Sequence, residues 1–251
     1  MKNAFITGNS SGFGLGLTET LLDNTTQVFG CSRRGCPIKH NNLHDQIIDL
    51  CDFSQLEKSI HHLLQPIDSL DLVILNAGTL GKIDYMHNTA IEDIKQVMDI
   101  NVWANKAILD ALISWDKPIQ QIILMSSGAS VLGNKGWNAY ALSKASLNML
   151  SKLYAHELPN TQINAVAPGL IATEMTNYLC EEADDNEFPA LKRIREASSD
   201  FMLTPKEAAQ RLLAQTDALK GTPSGDFIDI RQLIAPEEYN ELIETAQANR
   251  V

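Results

Sequence analysis

The chain has no long apolar run, no surplus of positive charge and few cysteines, and each shortage removes a class of function. No segment approaches the ~18 consecutive apolar residues of a membrane-spanning helix, so no membrane partner is expected. Lysine and arginine total 20 against 31 aspartates and glutamates, a formal net charge of −11. That balance argues against nucleic acid, because phosphates require a basic footprint. The four cysteines (Cys31, Cys36, Cys51 and Cys180) form no C-x-x-C pair and no metal-ligand spacing. The six histidines are scattered, with no H-E-x-x-H. No metal is therefore expected, and a reduced, cytoplasmic compartment fits best. The N-terminal residues read directly as a strand, so no secretory leader is expected. There is no internal repeat and no low-complexity linker.

What is present is an alternation of short apolar strands and amphipathic helices. At 251 residues with 44% hydrophobic content, one domain spanning 1–251 is the natural reading. Strands are expected at 3–7, 27–32, 46–50, 72–75, 119–125, 162–167 and 227–230. Helices are expected from about Gly14 to Leu22, through Leu56, Ile60, Leu63 and Leu64 with Ser54 as cap, near 89–100, 102–115 and 138–157, and from Pro205. His61 and His62 are expected on an exposed helix face. Continuous apolar strands alternating with helices imply a parallel sheet covered on both faces.

Tyr140 and Lys144 stand at i and i+4, on one face of the 138–157 helix. A phenol with its usual pKa of about 10 is a poor proton carrier near neutrality, and a nearby cation favours the phenolate. A serine hydroxyl such as Ser127 beside the pair can hold a carbonyl or alcohol oxygen. Taken alone, Y-x-x-x-K occurs by chance in many helices.

The first strand ends in Thr7-Gly8-Asn9-Ser10-Ser11-Gly12-Phe13-Gly14, which opens the first helix. Glycines there allow a sharp turn and close approach of a pyrophosphate, and the helix N–H groups face the anion. The spacing is G-x-x-x-G-x-G rather than G-x-G-x-x-G. The second strand ends in Ser32-Arg33-Arg34 with no acid. An acid at that place grips the ribose 2′-OH of NAD, whereas arginine suits the 2′-phosphate of NADP. NADP(H) is the expected cofactor; two solvated loop arginines are the alternative.

Thr7-Gly8 to Gly14, Asp49, Asn76-Ala77-Gly78, Asn101, Ser127, Tyr140 with Lys144, and Pro168-Gly169 with Thr173 occur in order over about residues 2–230. In that series the chain resembles the short-chain dehydrogenase/reductase family. The resemblance implies a single-domain Rossmann fold, with a doubly wound seven-stranded parallel sheet and helices on both faces. It implies Tyr140 as general acid, Ser127 as the partner of the substrate oxygen, and Lys144 as the group that binds the nicotinamide ribose and lowers the Tyr140 pKa. Asn101 would hold a water of a proton relay. Gly8, Ser10, Ser11, Gly12, Phe13, Gly14, Ser32, Arg33 and Arg34 would hold the phosphates. Asp49 and Leu50 would contact the adenine, and Asn76, Ala77 and Gly78 would border its ribose. Pro168, Gly169, Ile171 and Thr173 would surround the nicotinamide. Asn76 and Asn101 can also be read as merely tying up backbone groups.

Arg33-Arg34, Ser126-Ser127-Gly128-Ala129, Gly136-Trp137-Asn138-Ala139-Tyr140 and the ending Gly225 to Arg231 are similar to the sepiapterin reductase and benzil reductase branch, whose members reduce a ketone beside a second carbonyl. Trp137 reads either as a flat wall for an aromatic substrate or as a packing residue. A ketone- or dicarbonyl-bearing small molecule is the expected substrate. The alternatives are a 3-oxoacyl-thioester reductase and a non-catalytic NADP-sensing protein. Residues 174–204 lie where the family places its substrate lid, with Glu174, Met175, Tyr178, Leu179, Phe188, Pro189, Ile194, Phe201 and Met202 supplying the closing groups and the acids of 181–187 facing water. The 102–115 and 138–157 helices carry spare apolar residues, and the family pairs them across a dimer axis. A homodimer or homotetramer is expected. Residues 236–251 read as a polar C-terminal helix with Tyr239, Leu242 and Ile243 on one side.

Overall fold

The computed structural model describes residues 1–181, 187–188, 190–192, 194–195 and 202–248. Among them, seven strands form one parallel sheet: β1 (Asn3–Thr7), β2 (Gln27–Ser32), β3 (Leu43–Ile47), β4 (Leu72–Leu75), β5 (Gln121–Met125), β6 (Gln162–Ala167) and β7 (Phe227–Asp229). Their order is β3-β2-β1-β4-β5-β6-β7. The order reverses between β1 and β4, and a parallel sheet opens a ligand crevice at the C-terminal ends of the strands beside such a reversal.

The helices are α1 (Gly12–Asp23), α2 (Phe53–Leu64), α3 (Ile91–Met98), α4 (Ala104–Trp115), α5 (Ala129–Leu132), α6 (Asn138–Glu157), α7 (Glu174–Glu181), α8 (Pro205–Ala214), α9 (Thr216–Lys220), α10 (Arg231–Ile234) and α11 (Pro236–Ala248). Strand residues alternate between two cores, as a two-residue side-chain period requires. Phe5, Val73, Leu75, Ile122 and Leu124 pack with Ile60 of α2, Ile108 and Leu112 of α4 and Leu147 of α6. Ala4, Ile6, Leu72, Ile74, Ile123 and Met125 pack with Leu17 and Leu21 of α1, Leu212 of α8 and Leu219 of α9.

Several expectations shift. The third strand pairs over Leu43–Ile47, not 46–50, because its register on β2 ends at Ser32↔Ile47. Ile48 and Leu50 are still buried, but from the turn that carries Asp49 to the crevice. Ser54 lies inside α2, and its hydroxyl donates to Asp52 Oδ1 at 2.7 Å. The two helices expected near 89–100 and 102–115 are joined by a π-helical segment, Asp99–Trp103. His61 is half-buried rather than exposed: its Nε2 lies 2.8 Å from the Ala111 carbonyl of α4. Pro205 does open α8, behind a reciprocal cap between Thr204 and Glu207. The tail helix α11 packs against α10 and α5. No helix among the described residues is long and apolar enough to cross a membrane.

Candidate active site

The C-terminal ends of the strands and the loops that follow them enclose one cleft of about 1440 Å³. Ligand pockets commonly run about 300–1,000 Å³, so a dinucleotide and a small molecule fit together.

At the first crossover, Gly8, Ser10, Ser11, Gly12 and Phe13 line the cleft, and Gly14 does not. A Cβ on Gly14 would stand 2.1 Å from the Gly8 carbonyl oxygen. Gly14 thus lets α1 press against its own turn. Asn76 buttresses the same turn: its amide nitrogen donates to the carbonyls of Thr7 (3.2 Å) and Gly8 (3.4 Å). The Asn76 and Ala77 backbone N–H groups both donate to Thr7 Oγ1. Asn76, Ala77 and Gly78 line the cleft beside it.

Ser32, Arg33, Arg34, Asp49 and Leu50 line the next stretch. Arg34 is not an idle loop arginine, since its Nη2 donates to Ser11 Oγ at 2.8 Å. Asp49 accepts from the Cys51 N–H at 3.0 Å. Ser32 Oγ is buried and has no partner among the described residues. A buried hydroxyl without a partner is costly. Beside two arginines, it fits a phosphate that would accept from it.

At the far end Ser127, Tyr140 and Lys144 converge. Ser127 follows β5, and the Ala129 N–H donates to its Oγ at 3.2 Å, which leaves the hydroxyl proton free to point elsewhere. Ser127, Tyr140 and Lys144 all line this end of the cleft. The neighbouring Ser126 is committed instead to Asn148 Oδ1, at 2.6 Å. Lys144 is buried, donates to the Met125 carbonyl at 2.5 Å, and holds its ammonium 5.6 Å from the centre of the Tyr140 ring. Burial pulls Lys144 down to about 8. Burial also pushes Tyr140 above its ordinary value, and the nearby Ser127 side chain only partly opposes it. The expected net lowering of the phenol is therefore not met in the protein by itself. Desolvation disfavours both charged forms, phenolate and ammonium.

Asn101 lies behind this wall, fully buried within the π-helical segment. Its Oδ1 accepts from the Thr79 N–H, and its amide nitrogen donates to the Thr79 carbonyl and Ser143 Oγ, all within 2.8–2.9 Å. Its own carbonyl accepts from Asn105 at 2.7 Å. Both amide protons are thus spent on structure.

Pro168, Gly169, Ile171 and Thr173 line the side that faces the glycine turn. A Cβ on Gly12 would come within 3.4 Å of Thr173 Cγ2, so the two walls nearly touch. From 174–204, Glu174, Met175, Tyr178, Leu179, Ala190 and Ile194 line the cleft. Phe188 packs with Trp137, Leu80 and Leu191. The acids of 182–186, Pro189 and Phe201 lie outside the described residues, as does the Leu242 side chain of the tail.

Trp137 both lines the cleft and packs: it is 6% exposed, 6.3 Å from the Tyr140 ring centre, and its Nε1 has no partner among the described residues. The preceding Gly136 is required at φ +91°, where a Cβ would stand 2.6 Å from Phe188.

Sequence reading gave no role to Asp229 and Arg231, which also line the cleft. Buried Asp229 holds Arg231 through Nε (2.8 Å) and Nη2 (2.6 Å). The available signal was their place at the C-terminal end of a parallel strand.

Residues 2–184 match the family model for the short chain dehydrogenase. A benzil reductase, (S)-benzoin forming, of Saccharomyces cerevisiae is 29% identical over 88% of this chain and 92% of its own. A 3-oxoacyl-[acyl-carrier-protein] reductase of Rickettsia typhi is 32% identical over 72% and 77%. The crystal structure of a short chain dehydrogenase/reductase from Saccharomyces cerevisiae superposes with a TM-score of 0.80 at 23% identity, covering 94% of this chain and 99% of that one. With the glycine turn, the serine, the tyrosine and the lysine gathered in one cleft, the chain belongs to the short-chain dehydrogenase/reductase family and is an oxidoreductase acting between carbonyl and hydroxyl groups.

Proposed function

We propose that this protein is an NADPH-dependent reductase that converts a ketone or dicarbonyl small molecule into an alcohol. The observation that carries the reading is the convergence of Ser127, Tyr140 and the buried Lys144 ammonium on one end of the cleft. NADPH, when bound, supplies the hydride. Ser10, Ser11, Arg33, Arg34 and the unpartnered Ser32 hydroxyl would hold its phosphates, and Pro168, Gly169, Ile171 and Thr173 would border its nicotinamide.

Tyr140 donates its phenolic proton to the carbonyl oxygen. Burial keeps the phenol neutral and able to donate until that oxygen gains charge. Ser127 turns its hydroxyl proton toward the same oxygen, a donor aimed where negative charge develops. Lys144, fixed by the Met125 carbonyl, then favours the phenolate that Tyr140 leaves behind. Asn101 acts here as a positioning residue that fixes the loop bearing Thr79 against α6.

The apolar wall of Leu80, Trp137, Met175, Tyr178 and Leu179 suits an aromatic substrate. The same residues would serve a 3-oxoacyl thioester. The formal net charge of −11 gives no support to docking of an acidic acyl-carrier protein, so the small-molecule reading is preferred. Exposed Leu142, Met149 and Leu153 on α6, with Trp103 and Ile113, support a homodimer through α4 and α6. Four free cysteines are consistent with a reducing, cytoplasmic setting.

The test is NADPH consumption with a panel of aryl diketones, for the wild type and Tyr140→Phe. Turnover that disappears in the variant supports the reading. Wild-type binding of NADPH without turnover of any carbonyl would replace it with a sensor.

A further inference from the structure

Two loops grip the two ends of the adenosine diphosphate in the reading above: the glycine turn at 8–13 and the arginine turn at 33–36. One carboxylate outside the cleft joins them. Asp45, on β3, accepts from the Asn9 side-chain amide through Oδ1 at 2.7 Å and from the Cys36 backbone N–H through Oδ2 at 2.8 Å. Asn9 belongs to the glycine turn and is fully buried. Its Oδ1 has no partner among the described residues, so the bond to Asp45 is the amide's one anchor there. The amide orientation follows from charge, because only its nitrogen can donate to a carboxylate.

Two glycines make room for this junction. Gly30 sits inside β2, where glycine is otherwise a poor choice. A Cβ there would stand 2.1 Å from Asn9 Nδ2 and 3.4 Å from Asp45 Oδ1. Gly35 closes the arginine turn at φ +75°, and a Cβ there would lie 3.3 Å from Asp45 Oδ2. Both glycines thus open onto the atoms of the junction. A second tie, Arg34 Nη2 to Ser11 Oγ at 2.8 Å, bridges the same loops on the cleft side.

We propose that Asp45 is a positioning residue for the cofactor: through Asn9 and the Cys36 N–H it locks the pyrophosphate turn to the 2′-phosphate turn, so that the two phosphate sites are presented at a fixed separation. Asp45 and Asn9 are both absent from the cleft lining, so they act through the loops. This rests on the NADPH reading of Arg33 and Arg34. Ordering the loops beforehand removes that cost from binding, which is how preorganisation raises affinity. A ligand that spans both turns gains most, and one that lacks the 2′-phosphate gains less.

The experiment titrates the full chain with NADPH and with NADH, read by nicotinamide fluorescence, for wild type, Asp45→Ala, Asp45→Asn, Asn9→Ala and the double Asn9→Ala/Asp45→Ala. Melting temperature is followed for each. Loss of a hydrogen bond to a charged group predicts roughly a tenfold weaker NADPH affinity in Asp45→Ala, with NADH weakened less. Asn9→Ala should show a similar loss, and the double variant should be little worse than either single, because each removes the same junction. Asp45→Asn, which can accept from only one of the two donors, should fall between. Losses that multiply in the double variant, or NADPH and NADH weakened equally, would overturn the proposal. So would weaker binding that merely follows a lower melting temperature across all four variants. The NADPH reading fails separately, if the wild type shows no preference for NADPH over NADH.

Discussion

The two ends of the cleft are built differently. The phosphate end consists of strand termini and tight turns, held by Asn76 on Thr7 and Gly8, by Arg34 on Ser11 and by Asp45 on Asn9 and Cys36. Its geometry comes from backbone and short side chains, and little can move without breaking hydrogen bonds. The substrate end is walled by side chains from separate segments, with Leu80, Trp137, Leu179 and Phe188 meeting through apolar contact. Directional bonds fix the position of phosphates that do not vary among dinucleotides, whereas apolar packing accepts changes of shape. One end is therefore suited to constancy and the other to variation in substrate.

Substitutions can break or sharpen that contrast. The largest effect is expected where the chemistry lies between the two ends. Tyr140→Phe should lower kcat by about 10²–10⁴-fold, the usual range for loss of general acid catalysis, while NADPH affinity stays within a few fold in a binding titration. Next, at the phosphate end, Arg33→Ala should raise the KM for NADPH by roughly tenfold or more, as expected for a lost charge-assisted contact. The KM for NADH should barely move; equal changes would remove the 2′-phosphate assignment. At the substrate end, Trp137→Ala should raise KM for aryl diketones several-fold and leave cofactor affinity unaltered. Unchanged kinetics on every active diketone would reduce Trp137 to packing.

The smallest effect is one of pH. Lys144 in the folded protein titrates near 8, below its ordinary 10.5. The ammonium is present below that value and is lost above it. Reduction should therefore be level through neutral pH and decline as pH passes about 8, read from a kcat–pH profile. The stability sign is opposite. Between about 8 and 10.5 the unfolded chain holds a proton that the folded one has released, so this residue's contribution to stability rises with pH across that window. Removing the titrating group in Lys144→Met should accordingly flatten the rise of stability between about pH 8 and 10.5, read from melting temperatures across that window.

The strands were legible where apolar residues are adjacent, as in Ala4-Phe5-Ile6 of β1 and Leu72–Leu75 of β4. The edge strand β3 was misplaced because its middle three residues, His44, Asp45 and Gln46, are polar and it takes its register from β2. The glycine turn, the arginines and Tyr140 with Lys144 could be read from spacing, since helix and strand periods fix which side chains are neighbours in a local segment. Asp229 with Arg231, and Asp45 with Asn9, could not.

What the sequence by itself determined is the order of elements, the parallel sheet and the motif series of the family, from the glycine turn to Tyr140 and Lys144. The tertiary structure alone decided that Asn101 and Gly14 stand behind the cleft wall and that Tyr140 is raised rather than lowered by its surroundings. It also decided that one carboxylate on an edge strand, Asp45, joins the glycine turn to the arginine turn. The reason is physical: periodicity is a property of neighbours along the chain, whereas burial and long-range hydrogen bonds exist only once distant segments share a place.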